Sequence, residues 1–521
     1  MSAADKFIAE LTEGYTFKGD SIILGTAIYN GEPQQNLHIK IPLSTINRHG
    51  LIAGATGTGK TKTVQVFAEA LSEKSIPVLL MDIKGDLSGI AAAGSSNPKI
   101  EERHAKIGIP YKSKEFPVEF LTLSDEKGVR LRATVSEFGP ILISKILELN
   151  DTQAGLMAVL FKYCDDNNLA LLDLKDLKKV LQFAAAEGKD SIEKDYGSVS
   201  TSSLGTILRK VVELEQQGAD KFFGEKSFEV NDLIRIDENG NGIISVLRLI
   251  DLQDRPKLFS TFMLSLLAEI YSTFPELGDK AEPKLVIVID EAHLIFNEAS
   301  KALLNQIETI IKLIRSKGVG IYFCTQNPTD VPQSVLSQLG LKIQHALRAF
   351  TAQDRKMIKL TSENYPISEY YKTDELLTSL GIGEAAISAL NEKGVPTPLA
   401  ATLLCAPKSR MDILTDDELS KKISSSKLVN KYNEVIDRES AYEILNKKLD
   451  AAREFDLQVP DSPSRTYDQK PRTSNRTSTR KEKSTVDKVV NSPLSKQIGR
   501  TLVRELTRGI LGVLGMSGRK R

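Results

Sequence analysis

The chain has 521 residues, of which 41% are hydrophobic and 26% charged, with 34 glycines, 20 prolines and 3 cysteines. That composition excludes a wholly disordered, collagen-like or disulfide-stapled chain and leaves room for about three domains of ordinary size. Lys+Arg number 69 and Asp+Glu 68, a net charge of +1, so the whole-chain charge gives no sign of a nucleic-acid partner. The N-terminus, MSAADKFIAELTEGY, has no basic stretch leading into an apolar one. No run approaches the ~20 apolar residues of a membrane helix. Cys164, Cys324 and Cys405 are far apart, with no CxxC or Cys/His cluster. These features predict a soluble cytoplasmic protein with free thiols, no zinc site and no integral membrane segment.

Residues 1–46 begin with a short helical pattern. A strand pattern at Ser21 to Tyr29, a turn at Asn30-Gly31 and a second strand at Leu37 to Ile41 follow. This is a short N-terminal β element, too small to stand alone. Residues 47–135 read as the first part of an α/β core. The apolar strand Leu51-Ile52-Ala53 runs into a Gly-rich loop and a helix from Thr61 to Lys74. Beyond Pro77 comes the buried strand Val78-Leu79-Leu80-Met81, ending in Asp82, and then a strand at Phe116 to Leu123. Apolar strands alternating with helices predict a parallel sheet covered on both faces.

Residues 136–235 carry long 3.6-residue periods, at 141–149, 153–163 and 204–214, and read as a mostly helical insertion. The core resumes over 236–410 with strands at 243–249, 285–289, 319–324, 341–347 and 399–405 and helices at 256–274 and 301–317. A helical extension is expected over 411–460. Residues 461–493 are rich in Ser, Thr, Pro and charge and predict a disordered basic linker. In 494–521, Lys496, Arg500, Arg504 and Arg508 lie opposite Leu494, Ile498, Leu502, Leu506 and Ile510, an amphipathic basic helix interrupted by Gly499, Gly509 and Gly512. Residues 461–521 hold 15 Lys/Arg and 5 Asp/Glu, so the near-neutral total conceals a tail of +10 on a body of −9.

Gly54-Ala55-Thr56-Gly57-Thr58-Gly59-Lys60-Thr61 fits G-x-x-x-x-G-K-[ST] at every fixed position, between a strand and a helix. Glycines let the backbone wrap a polyphosphate, and the helix N-terminus favours its charge. Lys60 is expected to reach the terminal phosphates, and the Thr61 hydroxyl to ligate Mg²⁺. A second motif, Leu285-Val286-Ile287-Val288-Ile289-Asp290-Glu291, is a buried strand that delivers two carboxylates to the sheet edge. Asp290 is the candidate Mg²⁺ residue and Glu291 the candidate base for an attacking water. The strand Val319 to Cys324 runs into Thr325-Gln326, and Gln326 is the candidate to sense the γ-phosphate or orient the water. Asp82 and Asp86, in Asp82-Ile83-Lys84-Gly85-Asp86, either join the Mg²⁺/water network or shape a tight turn. Asp237 to Gly242 begins like a calcium loop, but its twelfth position is Arg248, so a hairpin turn is expected. His293 has no ligand-spaced partner among the other histidines and reads as structural.

Four segments in this order, NRHGLIAGATGTGKT, LLMDIKGDLSG, IVIDEAHLIF and LIRSKGVGIYFCTQNPTDVP, resemble the HerA/FtsK superfamily and above all its bacterial HerA-like, YjgR-type branch. The tail SPLSKQIGRTLVRELTRGILG is similar to that of the same group. The resemblance implies a RecA-like P-loop NTPase core of the additional-strand, catalytic-Glu type. It also implies ATP with Mg²⁺ and a homo-oligomer, often a hexameric ring, with sites at subunit interfaces. It assigns phosphate and Mg²⁺ to Gly54–Thr61, Mg²⁺ to Asp290, the base to Glu291 and the sensor to Gln326. A ring needs a cation from a neighbour, for which Arg315, Arg348 and Arg48 are the candidates. The better-known DNA-pumping members carry a longer β-barrel than residues 1–46 provide.

Two uses of the ATPase are compatible with these residues. One is a DNA-translocase or helicase-like motor. The other is a regulatory or assembly ATPase that acts on a protein partner through the C-terminal tail.

Overall fold

The structure is a computed structural model that describes residues 2–457, apart from 253–254, 279–281, 299–300, 435 and 437. The linker expected at 461–493 and the helix expected at 494–521 lie outside the described residues. In chain order the strands are β1 (Ser21–Tyr29), β2 (Glu32–Pro42), β3 (Gly50–Ala53), β4 (Val78–Asp82), β5 (Val118–Thr122), β6 (Val129–Arg130), β7 (Ile244–Arg248), β8 (Leu285–Ile289), β9 (Val319–Thr325), β10 (Leu341–Gln344), β11 (Glu384–Ser388) and β12 (Ala400–Leu404). They form one sheet in the order β2-β1-β12-β11-β10-β3-β9-β8-β4-β7-β5-β6.

From β10 to β6 every neighbouring pair is parallel. From β10 outward through β11, β12 and β1 to β2 every pair is antiparallel. The purely parallel sheet expected from the apolar strands is therefore the larger part of a mixed sheet. The N-terminal hairpin is its far edge, joined through β12. The strands β6 and β11 escaped the sequence reading. β6 has two residues, and β11 reads EAAIS, with one large apolar side chain.

The five residues of β8 explain the two-sided cover. Leu285, Ile287 and Ile289 pack into one hydrophobic cluster, and Val286 and Val288 into the cluster on the opposite face. A strand whose alternate residues both meet apolar cover reads as an unbroken apolar run. β4 divides in the same way, with Leu79 and Met81 on one side and Val78 and Leu80 on the other. The apolar cluster on the first face extends into helices that include Asp151–Asp166, Leu174–Ala185 and Thr201–Gln216, within residues 136–235. The second face is covered by the helix Lys60–Ser72, through Val64, Phe67 and Leu71. Asp237 closes a turn by accepting hydrogen bonds from the Asn239 and Asn241 amides, beneath an antiparallel bridge between Ile236 and Gly242, as expected of a hairpin.

Register brings the chemistry to one edge. Ala53 of β3 lies beside Thr325 of β9, Phe323 of β9 beside Ile289 of β8, and Ile289 beside Met81 of β4. The parallel strands therefore end together, and the loops after β3, β4, β8, β9 and β10 share the space beyond them.

Candidate functional site

The phosphate loop is held from both sides by its neighbouring strands. The Gly54 amide donates to the Thr325 carbonyl (3.3 Å) and the Ala55 amide to the Ala346 carbonyl (2.9 Å). Gly54 has φ +151°, and a Cβ there would lie 2.5 Å from the His345 Cβ, so close packing excludes any side chain. Gly59, at φ +113°, makes the turn into the helix Lys60–Ser72. The amides of that first turn have no partner within the helix and form a seat for negative charge. The Thr58 hydroxyl closes the loop on the Ala55 carbonyl (2.7 Å), and Gly383 donates its amide to the Thr58 carbonyl (3.0 Å). Lys60 folds back over the loop, donating to the carbonyls of Gly54 (2.7 Å) and Ala55 (3.0 Å). Burial lowers its pKa, and so does the nearby Lys84 cation, while Glu291 and Asp290 oppose that shift.

The acidic pair stands one strand away, because β9 lies between β3 and β8. Asp290 accepts a hydrogen bond from the Glu291 amide (2.9 Å). Burial raises its pKa, the Glu291 carboxylate raises it further, and Lys84 lowers it. Glu291 adopts φ +47°, left-handed backbone that a non-glycine residue seldom takes. The next amide, Ala292, donates to the Cys324 carbonyl of β9 (3.0 Å), which pins the turn. Glu291 is 5% exposed and bracketed: one carboxylate oxygen pairs with the Lys84 ammonium, and the other lies 3.1 Å from His293 Nδ1.

The loop after β4 completes the site. The Asp82 carboxylate accepts the amides of Gly85 (2.7 Å), Asp86 (3.2 Å) and Leu87 (3.2 Å). Burial pushes its pKa up to about 7. Of the two sequence alternatives, Asp82 shapes the turn, whereas Asp86 faces the phosphate loop. Asp86 Oδ2 accepts the Thr61 hydroxyl (3.2 Å), and its Oδ1 is buried without a hydrogen-bond partner. Thr61, Asp86 and Asp290 supply hydroxyl and carboxylate oxygens, the donor type that Mg²⁺ takes, and an unsatisfied Asp86 oxygen suits a cation or its water. Mg²⁺ keeps several waters and needs few protein ligands, which fits this sparse set.

Gln326 is exposed at the end of β9, on the phosphate-loop edge. Arg348 is exposed just past β10 on the same edge. Arg315 opens the turn before β9, and Arg48 closes the one before β3, so both lie at the opposite edge from the loop. The structure thus separates the candidate arginines instead of gathering them. Lys84 and His293 are the groups that sequence reasoning missed. From sequence alone His293 reads as structural, and Lys84 carries no mark that sets it apart from the two aspartates beside it. The single available signal for Lys84 is a cation between carboxylates in the turn after β4, the strand that follows the phosphate-loop helix.

Strand order and loop define a P-loop NTPase of the additional-strand class. The chain belongs to the helicase HerA-like C-terminal family, whose pattern matches residues 27–521. The DNA double-strand break repair helicase HerA of Sulfurisphaera tokodaii is 26% identical over 360 residues, 68% of this chain and 64% of that protein. The protein of the same name from Saccharolobus solfataricus is 24% identical over 356 residues, again 68% and 64%. The chain thus spans 64% of the length of these curated relatives. Among solved structures, the plasmid coupling protein TrwB in complex with the ATP analogue ADPNP superposes with a TM-score of 0.50 at 13% identity, over 79% of this chain and 95% of that one. The trigonal form of TrwB with sulphate gives 0.50 and 13% over 78% and 94%. These superpositions show the same fold. No helix among the described residues is long and apolar enough to cross a membrane.

Proposed function

We propose that this chain hydrolyses ATP with Mg²⁺ and uses the energy as a ring-forming, DNA-translocase or helicase-like motor. The observation that carries the reading is a buried carboxylate, Glu291, set across one strand from a complete phosphate loop. The loop amides and Lys60 bind the β- and γ-phosphates. Lys60 exchanges the Gly54 and Ala55 carbonyls for phosphate oxygens. Mg²⁺, held by Thr61 and Asp290 with Asp86 beside them, supplies charge neutralisation when bound. Glu291 takes a proton from a water as the water oxygen attacks the γ-phosphorus. The bond from that phosphorus to the β–γ bridging oxygen breaks, and ADP and phosphate leave. Gln326 lies at the end of the intervening strand, where it can report the γ-phosphate.

The DNA part rests on the HerA relatives. Ring formation rests on the family resemblance; Arg315, in the turn before β9 at the sheet edge opposite the loop, is one candidate to act in a neighbour's site. ATP turnover by the purified chain, measured with and without single- and double-stranded DNA and with Lys60→Ala as control, tests the hydrolysis and its coupling to DNA, and particle imaging of the same sample tests the ring. Stimulation by DNA that Lys60→Ala abolishes is expected. Turnover indifferent to any nucleic acid would refute the motor and leave the ATPase that acts on a protein partner.

A further inference from the structure

The general base is not free in this structure. Its carboxylate pairs with Lys84, whose side chain is 40% exposed while that of Glu291 is 7% exposed. The pair is built by three features that converge from separate segments. The Asp82 carboxylate, holding three successive backbone amides, fixes the loop that carries Lys84. Asp86, two residues on, reaches the Thr61 hydroxyl at the mouth of the phosphate loop. Glu291 is turned toward the loop by its left-handed backbone and by the anchor from Ala292 to β9. The segment from Lys84 to Asp86 therefore spans the gap from the base to the phosphate loop. The Lys84 ammonium lies close enough to Lys60, Asp290 and Glu291 for its charge to act on all three.

Two ammonium groups thus face the space where a γ-phosphate must sit, and both are engaged with protein oxygens. Lys60 rests on backbone carbonyls and Lys84 on the base itself. A carboxylate paired with an ammonium is a poorer proton acceptor than a free one, because the cation stabilises its charged form. A terminal phosphate carries more negative charge than a carboxylate and competes directly for the same ammonium.

Resting on the ATPase reading above, we propose that Lys84 senses the γ-phosphate: it holds Glu291 in the nucleotide-free chain and transfers to the terminal phosphate when a triphosphate binds, which frees the base for water. A diphosphate offers no group at that position and leaves the pair intact. The device couples activation of the base to arrival of the correct nucleotide, within one subunit and without a contribution from a neighbour.

The test reads nucleotide affinity as well as turnover. Affinities for ADP and for a non-hydrolysable ATP analogue are measured on the wild type, Lys84→Met, Lys84→Arg, Glu291→Gln and the Lys84→Met/Glu291→Gln double variant. In Lys84→Met the preference for the analogue over ADP is expected to fall about tenfold or more, the size of one charged hydrogen bond to phosphate, with ADP affinity held within about twofold. Its kcat drops while Lys84→Arg restores most of both quantities. In Glu291→Gln the analogue binds more tightly, because it no longer competes with a carboxylate, and the double variant loses that gain. The Glu291→Gln comparison requires no change at Lys84 and stands even where Lys84→Met fails to fold. A wild-type ratio of affinities in Lys84→Met, or an unchanged affinity for the analogue in Glu291→Gln, overturns the proposal with the ATPase reading intact. A wild type that binds neither nucleotide overturns the reading itself, and the proposal with it.

Discussion

Replacing Glu291 by glutamine isolates the proton-accepting role of one carboxylate. Gln has the same length, so the packing of a residue 5% exposed is preserved. The left-handed turn at φ +47° and the hydrogen bond from its amide to Asp290 are backbone features that the substitution leaves in place. What is lost is the carboxylate's charge, and with it the ion pair with Lys84, while the amide can still meet His293 Nδ1. Because Lys84 is 40% exposed, water screens the pair and its loss costs at most about 1 kcal/mol of stability. The melting temperature should move by no more than about 4 °C. Turnover should respond on another scale. A positioned general base contributes about 10²- to 10⁴-fold, equivalent to about 3–5 kcal/mol of barrier. Phosphate release under saturating ATP, with a fluorescent nucleotide to report binding, separates the two effects. The expected result is a kcat lower by about 10²-fold or more with nucleotide binding intact. A variant that binds ATP and retains a kcat within about tenfold of the wild type would refute the assignment of Glu291 as the base.

Lys60→Ala removes the ammonium that spans the loop, and affinity for ATP and ADP should fall together by about tenfold or more in the same binding assay. Gly54→Ala forces a Cβ to within 2.5 Å of the His345 Cβ, and should cost about 1–3 kcal/mol in denaturant unfolding while weakening nucleotide binding. Glu69 lies on the far side of the phosphate-loop helix, buried, accepting from the Lys408 and Ser409 amides and the Ser409 hydroxyl, and burial pushes its pKa up to about 7 from an ordinary 4.5. The fold therefore favours the protonated acid. That contribution is complete below pH 4.5 and lost as pH rises through about 7, a span of at most about 3 kcal/mol. Glu69→Gln should flatten the decline of unfolding midpoint between those pH values, and parallel curves for the two proteins would contradict it. Arg315→Ala mixed with Lys60→Ala should regain activity that neither shows alone, since one supplies the loop and the other the arginine. No recovery would show that Arg315 does not act across an interface.

The legible parts of this protein are those where a local segment carries its own chemistry. Gly54 to Thr61 declares itself because the loop's glycines, lysine and threonine all act through a contiguous stretch of backbone and one helix end. β8 declares itself because both of its faces are covered, so five apolar residues in a row precede the acidic pair. β11 does not, because three of its five residues are Glu and Ala, which carry little strand preference. Its place is fixed by neighbours more than 40 residues back in the chain and by β12. The antiparallel edge was hidden for the same reason. Ser21 to Tyr29 reads as a strand, but its pairing with β12 joins segments separated by almost the whole described chain.

The site was incomplete in the sequence at the one point where function depends on strand order. Asp82, Lys84 and Asp86 lie within five residues and look equivalent as charged turn residues. The fold gives them three different duties. Asp82, at the buried end of β4, can satisfy its carboxylate only with the amides of the turn that follows. Asp86, at the end of that turn, faces Thr61. Lys84, between them, faces the strand on the side of β4 toward β9, which is β8 with Glu291 at its end. More than 200 residues, including the helical insertion, separate Lys84 from Glu291 in the chain. Their pairing exists only because β8 enters the sheet between β9 and β4, so the contact that controls the base follows from a strand order that no local pattern contains.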